Sequence, residues 1–303
     1  MAEKEKQKST PPTPASILGR PLRAFSRAHR KYGTEWIMLT VGAVIVTFII
    51  IVALFPGLFA PFDPLDQEAG PQLSPPTAEN LLGTDNLQRD VLSRVIFGSR
   101  TILGVAFSAA LLSMLVGVPI GLFSGYVGGV VDRILSLVMD SIYSFPGMIL
   151  AIAFAAMLGP GVFNVTTAVA VVYIPQYFRL VRGQTLSIKE EVYVEAARAI
   201  GAKQTVILGR YVFPNVIATV AVIFSLNIVD GIMFEAALSY LGLGLPANIP
   251  DWGMDLSMGK KYLPSGIWWM VTFPGLAIVI LATGFTLLGE ALAEILNPKL
   301  LEK

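Results

Sequence analysis

WIMLTVGAVIVTFIIIVALF, residues Trp36 to Phe55, decides what kind of chain this is. The run carries no charge. At 1.5 Å of helical rise per residue it reaches about 30 Å, the thickness of a bilayer's hydrocarbon core. It predicts a membrane-spanning helix. Residues 1–35, before it, are rich in Lys and Arg and contain Pro11, Pro12 and Pro14. That composition predicts a disordered basic tail lying near a membrane surface. It does not suit a secretory leader, because the apolar run begins too late and no small-residue cleavage site follows it. The run reads as an uncleaved anchor and the first span.

Working outward, residues 56–98 hold Pro56, Pro61, Pro64, Pro71, Pro75 and Pro76 together with six acids, too polar a mixture to enter lipid. They predict an extramembrane loop. Five further apolar stretches follow, near 101–124, 132–158, 165–182, 215–240 and 267–289, which brings the expected number of spans to six. Pro119, Pro146, Pro175 and Pro274 fall inside them. A helical bundle tolerates such prolines because neighbouring helices satisfy the freed carbonyls, so they read as packing kinks or as flex points for gating. The whole composition agrees: 54% of residues are hydrophobic, 14% are charged and the mean hydropathy is +0.67. A soluble chain is about 25% charged. The net charge of +1 gives no global field that would draw nucleic acid. Cysteine is absent and His29 is the only histidine, placed in the basic tail, so neither a metal centre nor a His-based catalytic centre is expected.

Lys and Arg set the expected orientation. With the N-terminus inside, the inner segments hold eight in the tail, Arg133, six from Arg179 to Arg210, and two at the C-terminus; the outer side holds only Arg89, Arg94, Arg100, Lys260 and Lys261. Both termini are therefore expected in the cytoplasm, with an even number of spans. No inverted repeat is evident, which argues against one common class of secondary transporter.

The inner loop at 183–214 is too polar to span and too patterned to be a linker. Glu190 to Ala202 reads EEVYVEAARAIGA. Val192, Ala196, Ala199 and Ile200 share one helical face; Glu191, Glu195 and Arg198 share another, and Glu195 and Arg198 are spaced to pair. Gly201 supplies the positive φ of a helix C-terminal cap. A second short helix is expected over Thr205–Tyr211, leading to Phe213-Pro214-Asn215. The physical reading is a short amphipathic helix, small in its middle at Ala196 and Ala197, that either docks on a protein or lies on lipid.

Glu195-Ala196-Ala197, three residues, then Gly201 resembles the EAA motif of ABC-importer permeases. Tyr193 to Ala202, followed by Phe213-Pro214-Asn215, is similar to the form found in the dipeptide/oligopeptide/nickel permease family. Other segments resemble that family in the same order: Gly83-Thr84-Asp85-Asn86, Arg89 to Arg94, Gly98-Ser99-Arg100, Ser144-Phe145-Pro146, Tyr240 to Gly244, Asp251-Trp252-Gly253, Trp268-Trp269, Phe273-Pro274-Gly275 and Asn297-Pro298. The resemblance covers roughly 35–300, and the long loop after the first span resembles the family's second-permease branch. Gln88, Thr286, Leu287, Glu290 and Asn297 depart from the family's usual residues, all outside the coupling loop.

The resemblance implies an all-α integral membrane fold: the six-helix type I ABC-importer bundle with a cytoplasmic coupling helix. It implies a basic tail at 1–35, the first span and outer loop at 36–98, an ABC transmembrane type-1 domain at 99–292 and a C-terminal tail at 293–303. Its implied place is a prokaryotic cytoplasmic membrane, in contact with lipid. Its implied partners are a second, homologous permease forming a heterodimer, two ABC ATPase subunits and an extracytoplasmic substrate-binding protein. Its implied cargo is di- or oligopeptide, with oligosaccharide or nickel as alternatives. Glu191, Glu195, Ala196, Ala197, Arg198 and Gly201 would couple to the ATPase.

The remaining candidates follow from the residues. No G-x-x-x-x-G-K-[ST] string is present to cradle phosphates, so no cofactor is expected on this chain, and ATP and Mg would belong to the partner ATPases. Gly125, Gly128 and Gly129 read as a tight turn. Asp140 and Asp230 are acids inside spans, as translocation-path or structural groups, and Arg133 or Arg179 is a possible partner for them. A proton-coupled secondary transporter using those two acids is the rival class, and a channel or scaffold is another. Gly242, Gly244, Asp251 and Trp252 are candidates for docking the binding protein or for a structural turn.

Overall fold

The structure is a computed structural model that describes residues 34–295. The basic tail and nearly all of the C-terminal tail lie outside the described residues. Among those described, every regular element is helical, and an isolated bridge between Thr84 and Asp90 is the only β pairing. The longer helices are α1 (Thr34–Leu54), α2 (Val91–Val127), α3 (Gly129–Tyr143), α4 (Gly147–Leu158), α5 (Val162–Ile188), α6 (Val192–Ala199), α7 (Phe213–Tyr240), α8 (Trp252–Lys260) and α9 (Trp269–Ile295), with short helical turns at Pro56–Phe59 and Leu263–Ser265. A helical turn at Gln204–Val206 and a π-helical segment at Ile207–Val212 run straight into α7, so helical backbone is continuous from Gln204 to Tyr240.

By length and composition, α1, α2, the Gln204–Tyr240 run and α9 can cross a membrane, and α3 with α4 adds a fifth span if the bent pair is one crossing. Helix α5, 27 residues long, has the length for a sixth, but its polar residues dilute its apolar character. Several of those residues are paired within the chain. Arg179 pairs with Asp140, Arg182 with Asp132, and Gln184 donates to Thr219 at 2.6 Å.

Four sequence expectations are revised. The second span, expected from 101, starts at Val91, ten residues earlier. Asp90 caps it: Oδ2 accepts from the Ser93 amide and hydroxyl, both at 2.8 Å. Arg94, which a charge count assigns to the loop, is buried in the helix because Asp255 accepts from its Nε and Nη2 at 2.8 and 2.5 Å. The stretch expected as one span at 132–158 is broken at Ser144-Phe145-Pro146, and its halves meet at 88°. Pro146 has no N–H to give, and its ψ of 123° is extended, so the chain turns rather than kinks. Helix α5 runs on to Ile188, so the loop expected to begin at 183 is shorter. The expected helix over Thr205–Tyr211 is the π-helical lead into α7 rather than a separate element.

The most extensive packing in the bundle joins α2 to α5. A Cβ on Gly117, Gly121 or Gly125 would lie 2.7–2.8 Å from the carbonyls of Ile174, Phe178 and Arg182 respectively. Ser113 Oγ donates to the Ala170 carbonyl at 3.0 Å, one turn earlier in the same seam. Small residues every fourth position let two backbones touch, which is how helices associate where no water drives them together. Helix α1 packs on α9 in the same manner, with Gly42 against the Gly284 carbonyl. The loop at 56–90 is ordered by its own polar contacts: Asp85 pairs with Arg89 at 2.7 Å, and the Trp269 indole donates to the Thr84 carbonyl at 3.0 Å.

Candidate functional site

Helix α6 divides its residues cleanly. Val194 is buried against Ile207, Val212 and Val216, which fixes the helix to the foot of α7, and Ala197 is buried as well. Glu191, Val192, Glu195, Ala196, Arg198, Ala199 and Ile200 are exposed. The apolar face expected from spacing is thus turned away from the chain, with Val192 78% and Ile200 83% exposed. Ala197 is the correction: its side chain packs inward and adds nothing to the outer face. The C-terminal end closes as expected. Gly201 has φ +81°, its amide donates to the Arg198 carbonyl at 3.0 Å, and the Ala202 amide donates to the Ala197 carbonyl at 3.0 Å. This pair of bonds is a Schellman cap. The expected Glu195–Arg198 pair is not among the ion pairs of the described residues. The Arg198 guanidinium instead lies 5.9 Å from the centroid of the Tyr126 ring, at a polar cleft of about 360 Å³ that Lys189, Glu190 and Gln204 also line.

The helix is tied to the bundle by more than packing. Asn215, at the start of α7, donates from Nδ2 to the Tyr211 carbonyl at 2.6 Å and to the Tyr193 hydroxyl at 3.3 Å. Lys189 donates to the Gly125 carbonyl at 3.1 Å, joining the segment before α6 to the end of α2. These bonds link the segment around α6 to both α7 and the end of α2.

The acids within the bundle differ in their pairing. Asp140 accepts from Arg179 Nε and Nη2 at 2.9 and 2.7 Å, and this pair is about half exposed. Arg179 also lies 4.1 Å over the Tyr143 ring. Asp132 accepts from Arg182 Nη2 at 2.6 Å and from the Ser124 hydroxyl at 2.6 Å. Asp230 has no partner among the described residues. It lines a cavity of about 330 Å³ at the α3–α4 break, with Tyr173, Gln176 and aromatic walls.

The cluster at 242–252 is packed and hydrogen-bonded within the bundle. Trp252 is 2% exposed, its indole donates to the Val95 carbonyl at 2.8 Å, and its ring fills the space a Cβ on Gly98 would need. Asp251 is buried, caps α8 by accepting from the Gly253 and Met254 amides at 2.7 and 3.2 Å, and accepts from Ser239 Oγ at 2.5 Å. A Cβ on Gly244 would collide with Ser239, and Gly242 takes a left-handed φ of +79°. Asp251 and Trp252, expected as candidates for docking or for a structural turn, are both buried, so their side chains present no surface in this structure. Sequence reasoning missed the buried Arg94–Asp255 pair. Burial pushes the Asp255 carboxyl up, and the Arg94 guanidinium pulls against it. Nothing local to Arg94 signals a partner so distant in sequence.

The architecture is an all-helical bundle with an exposed short helix anchored to the foot of α7. The chain belongs to the family of binding-protein-dependent transport system inner membrane components, whose model matches residues 117–302. It is 36% identical over 260 residues to the dipeptide transport system permease protein DppC of Alkalihalophilus pseudofirmus, covering 86% of this chain and 85% of that one. It is 40% identical over 225 residues to the glutathione transport system permease protein GsiD of Pectobacterium atrosepticum, covering 74% of each. It is 36% identical over 257 residues to the probable D,D-dipeptide transport system permease protein DdpC of Escherichia coli, covering 85% of this chain and 86% of that one. The inward facing MetNI methionine ABC transporter superposes with a TM-score of 0.49 at 16% identity, over 67% of this chain and 96% of that one. The chain is thus an ABC-importer permease of the cytoplasmic membrane, in a family of transport components rather than enzymes. This sets aside the proton-coupled and scaffold readings.

Proposed function

We propose that this chain is the second permease of a heterodimeric peptide importer. It works with a homologous permease, two ATPase subunits that carry ATP and Mg, and an extracytoplasmic binding protein. Both termini lie in the cytoplasm, as the Lys and Arg distribution expects. The peptide cargo is suggested by the relatives named for dipeptide and glutathione transport. The exposed outer face of α6 carries the reading. Val192, Ala196, Ala199 and Ile200 are exposed among the described residues, while the helix itself is held to the foot of α7 by Val194 and the Tyr193–Asn215 bond. A face left open on a rigidly attached helix suits docking on another protein better than lying on lipid, since Glu191, Glu195 and Arg198 flank it with mixed charge and it has no Trp or Phe to anchor in headgroups.

In this mechanism, ATP binding draws the two ATPase subunits together and moves α6. Because helical backbone is continuous from Gln204, that motion passes into α7 and tilts the bundle. The path opens towards the binding protein, and hydrolysis resets it. The ATPase shifts the balance only through contacts that differ between the two states. The test is co-purification with the ATPase subunits, together with ATP-driven uptake, after Glu195→Lys combined with Gly201→Asp. Loss of both association and uptake is expected. Survival of both refutes the coupling role of α6.

A further inference from the structure

We propose that the cavity at the α3–α4 break is a subsite for the protonated amino group of the cargo, with Asp230 as its counter-charge. The proposal rests on the peptide reading given above and goes beyond it by naming the chemistry of one contact.

Depth comes first. Asp230 lies ten residues before the end of α7 at Tyr240, roughly 15 Å along the helix, which is half the thickness of a hydrocarbon core. An ionisable group at that depth is costly unless it is paired or faces a water-filled cavity. The chain pairs its other acids near this face: Asp132 with Arg182 and Asp140 with Arg179. Asp230 alone of these three is left without a cation, and it opens into the cavity. The backbone there is also irregular. The turn at Ser144-Phe145-Pro146 interrupts the bent span, and non-helical backbone at membrane depth is tolerated where it lines such a cavity.

The polar groups match one ligand class. An ammonium has three N–H donors and no acceptor. The cavity offers the Asp230 carboxylate, the Gln176 side-chain carbonyl and the Tyr173 hydroxyl, which is buried without a partner. The Phe234 ring meets the Tyr173 ring edge-on at 5.5 Å, which holds that hydroxyl in place. The remaining walls include Tyr143 and Phe145. Aromatic faces attract organic cations, and the Tyr143 ring already carries the Arg179 guanidinium. A hard divalent metal would demand six or more oxygens, which this set does not provide. An anion would meet an uncompensated carboxylate.

The test uses the assembled transporter in lipid nanodiscs and a hydrophobic carbodiimide, which modifies a protonated carboxyl. Modification of Asp230 is read by mass spectrometry with glycylglycine, N-acetylglycylglycine or ethylammonium present. Glycylglycine and ethylammonium are expected to slow modification, and the acetylated peptide is not. Tyr173→Phe is expected to raise the glycylglycine concentration for half-protection roughly fivefold, the worth of one net hydrogen bond. Equal protection by the acetylated peptide, no protection by any amine, or an unchanged half-protection in Tyr173→Phe overturns the subsite. Protection by ethylammonium without protection by glycylglycine keeps the ammonium subsite and removes peptide as the cargo.

Discussion

Replacing Arg94 by Met removes the cation paired with Asp255 and leaves a buried carboxyl behind. Breaking one side of such a pair costs about 3–5 kcal/mol. The carboxyl can limit that cost by taking a proton. From an ordinary carboxylate pKa, holding it protonated costs about 4 kcal/mol at pH 7 and about 1.5 kcal/mol at pH 5. The sign follows from linkage. In the variant the folded-state pKa rises further above its unfolded value, so the folded state binds more protons than the unfolded one. Stability is then greatest at low pH and falls as pH rises towards that raised pKa. The parent shares the direction, since burial already raises Asp255, but Arg94 holds its slope shallower. The stability gap between Arg94→Met and the parent should therefore widen by up to about 3 kcal/mol between pH 5 and pH 7. Thermal unfolding followed by tryptophan fluorescence in nanodiscs reads it, and Arg94→Met with Asp255→Leu should recover most of the loss at pH 7. An equal gap at both pH values would refute the argument that an uncompensated Asp255 charge is the cause.

Three further outcomes follow from the packing. Gly121→Leu must force α2 and α5 apart, since even its Cβ would meet the Phe178 carbonyl at 2.8 Å; a loss of about 1–3 kcal/mol or more and a poor yield of assembled complex are expected on size-exclusion chromatography, while Gly104→Leu, with nothing within 4 Å, should be silent. Trp252→Ala should cost about 3–5 kcal/mol in thermal unfolding, and the folded fraction should keep its affinity for the binding protein, measured by titration. Gly201→Val puts a β-branched residue at φ +81° at a cost of about 1–3 kcal/mol confined to the end of α6; ATP-driven uptake should fall while the global unfolding midpoint stays close to the parent's.

The sequence made plain what depends on local runs. Trp36 to Phe55 is a helix within two residues at its start and one at its end, because an uncharged apolar run has no other low-cost structure in lipid. The cap at Gly201 was legible because the left-handed region favours glycine so strongly. What a local reading missed was pairing across the fold. Arg94 reads as a loop charge until Asp255 is brought beside it, and Asp251 and Trp252 read as surface groups until Ser239 and Val95 meet them. Pro146 was visible, but whether it kinks or turns a span depends on what fills the space beyond it. The Gly117, Gly121 and Gly125 spacing lies in the sequence, but Gly117 and Gly121 are unremarked in an apolar stretch and Gly125 reads as part of a turn, whereas the structure places it in α2 against α5.

That spacing has a mechanical consequence. Ser113, Gly117, Gly121 and Gly125 meet Ala170, Ile174, Phe178 and Arg182 at matching intervals of four residues on both helices. A pattern with the same interval on both edges looks alike after a slip of one interval, about 6 Å. The seam sets how close α2 and α5 lie, as two rulers of equal graduation can lie flush at many offsets. What selects the offset is the unrepeated polar marks: Ser113 on Ala170, Lys189 on Gly125, and Arg182 bridged to Ser124 of α2 through Asp132 of α3. Glycine gives this pair its contact, and three polar pins give it its zero.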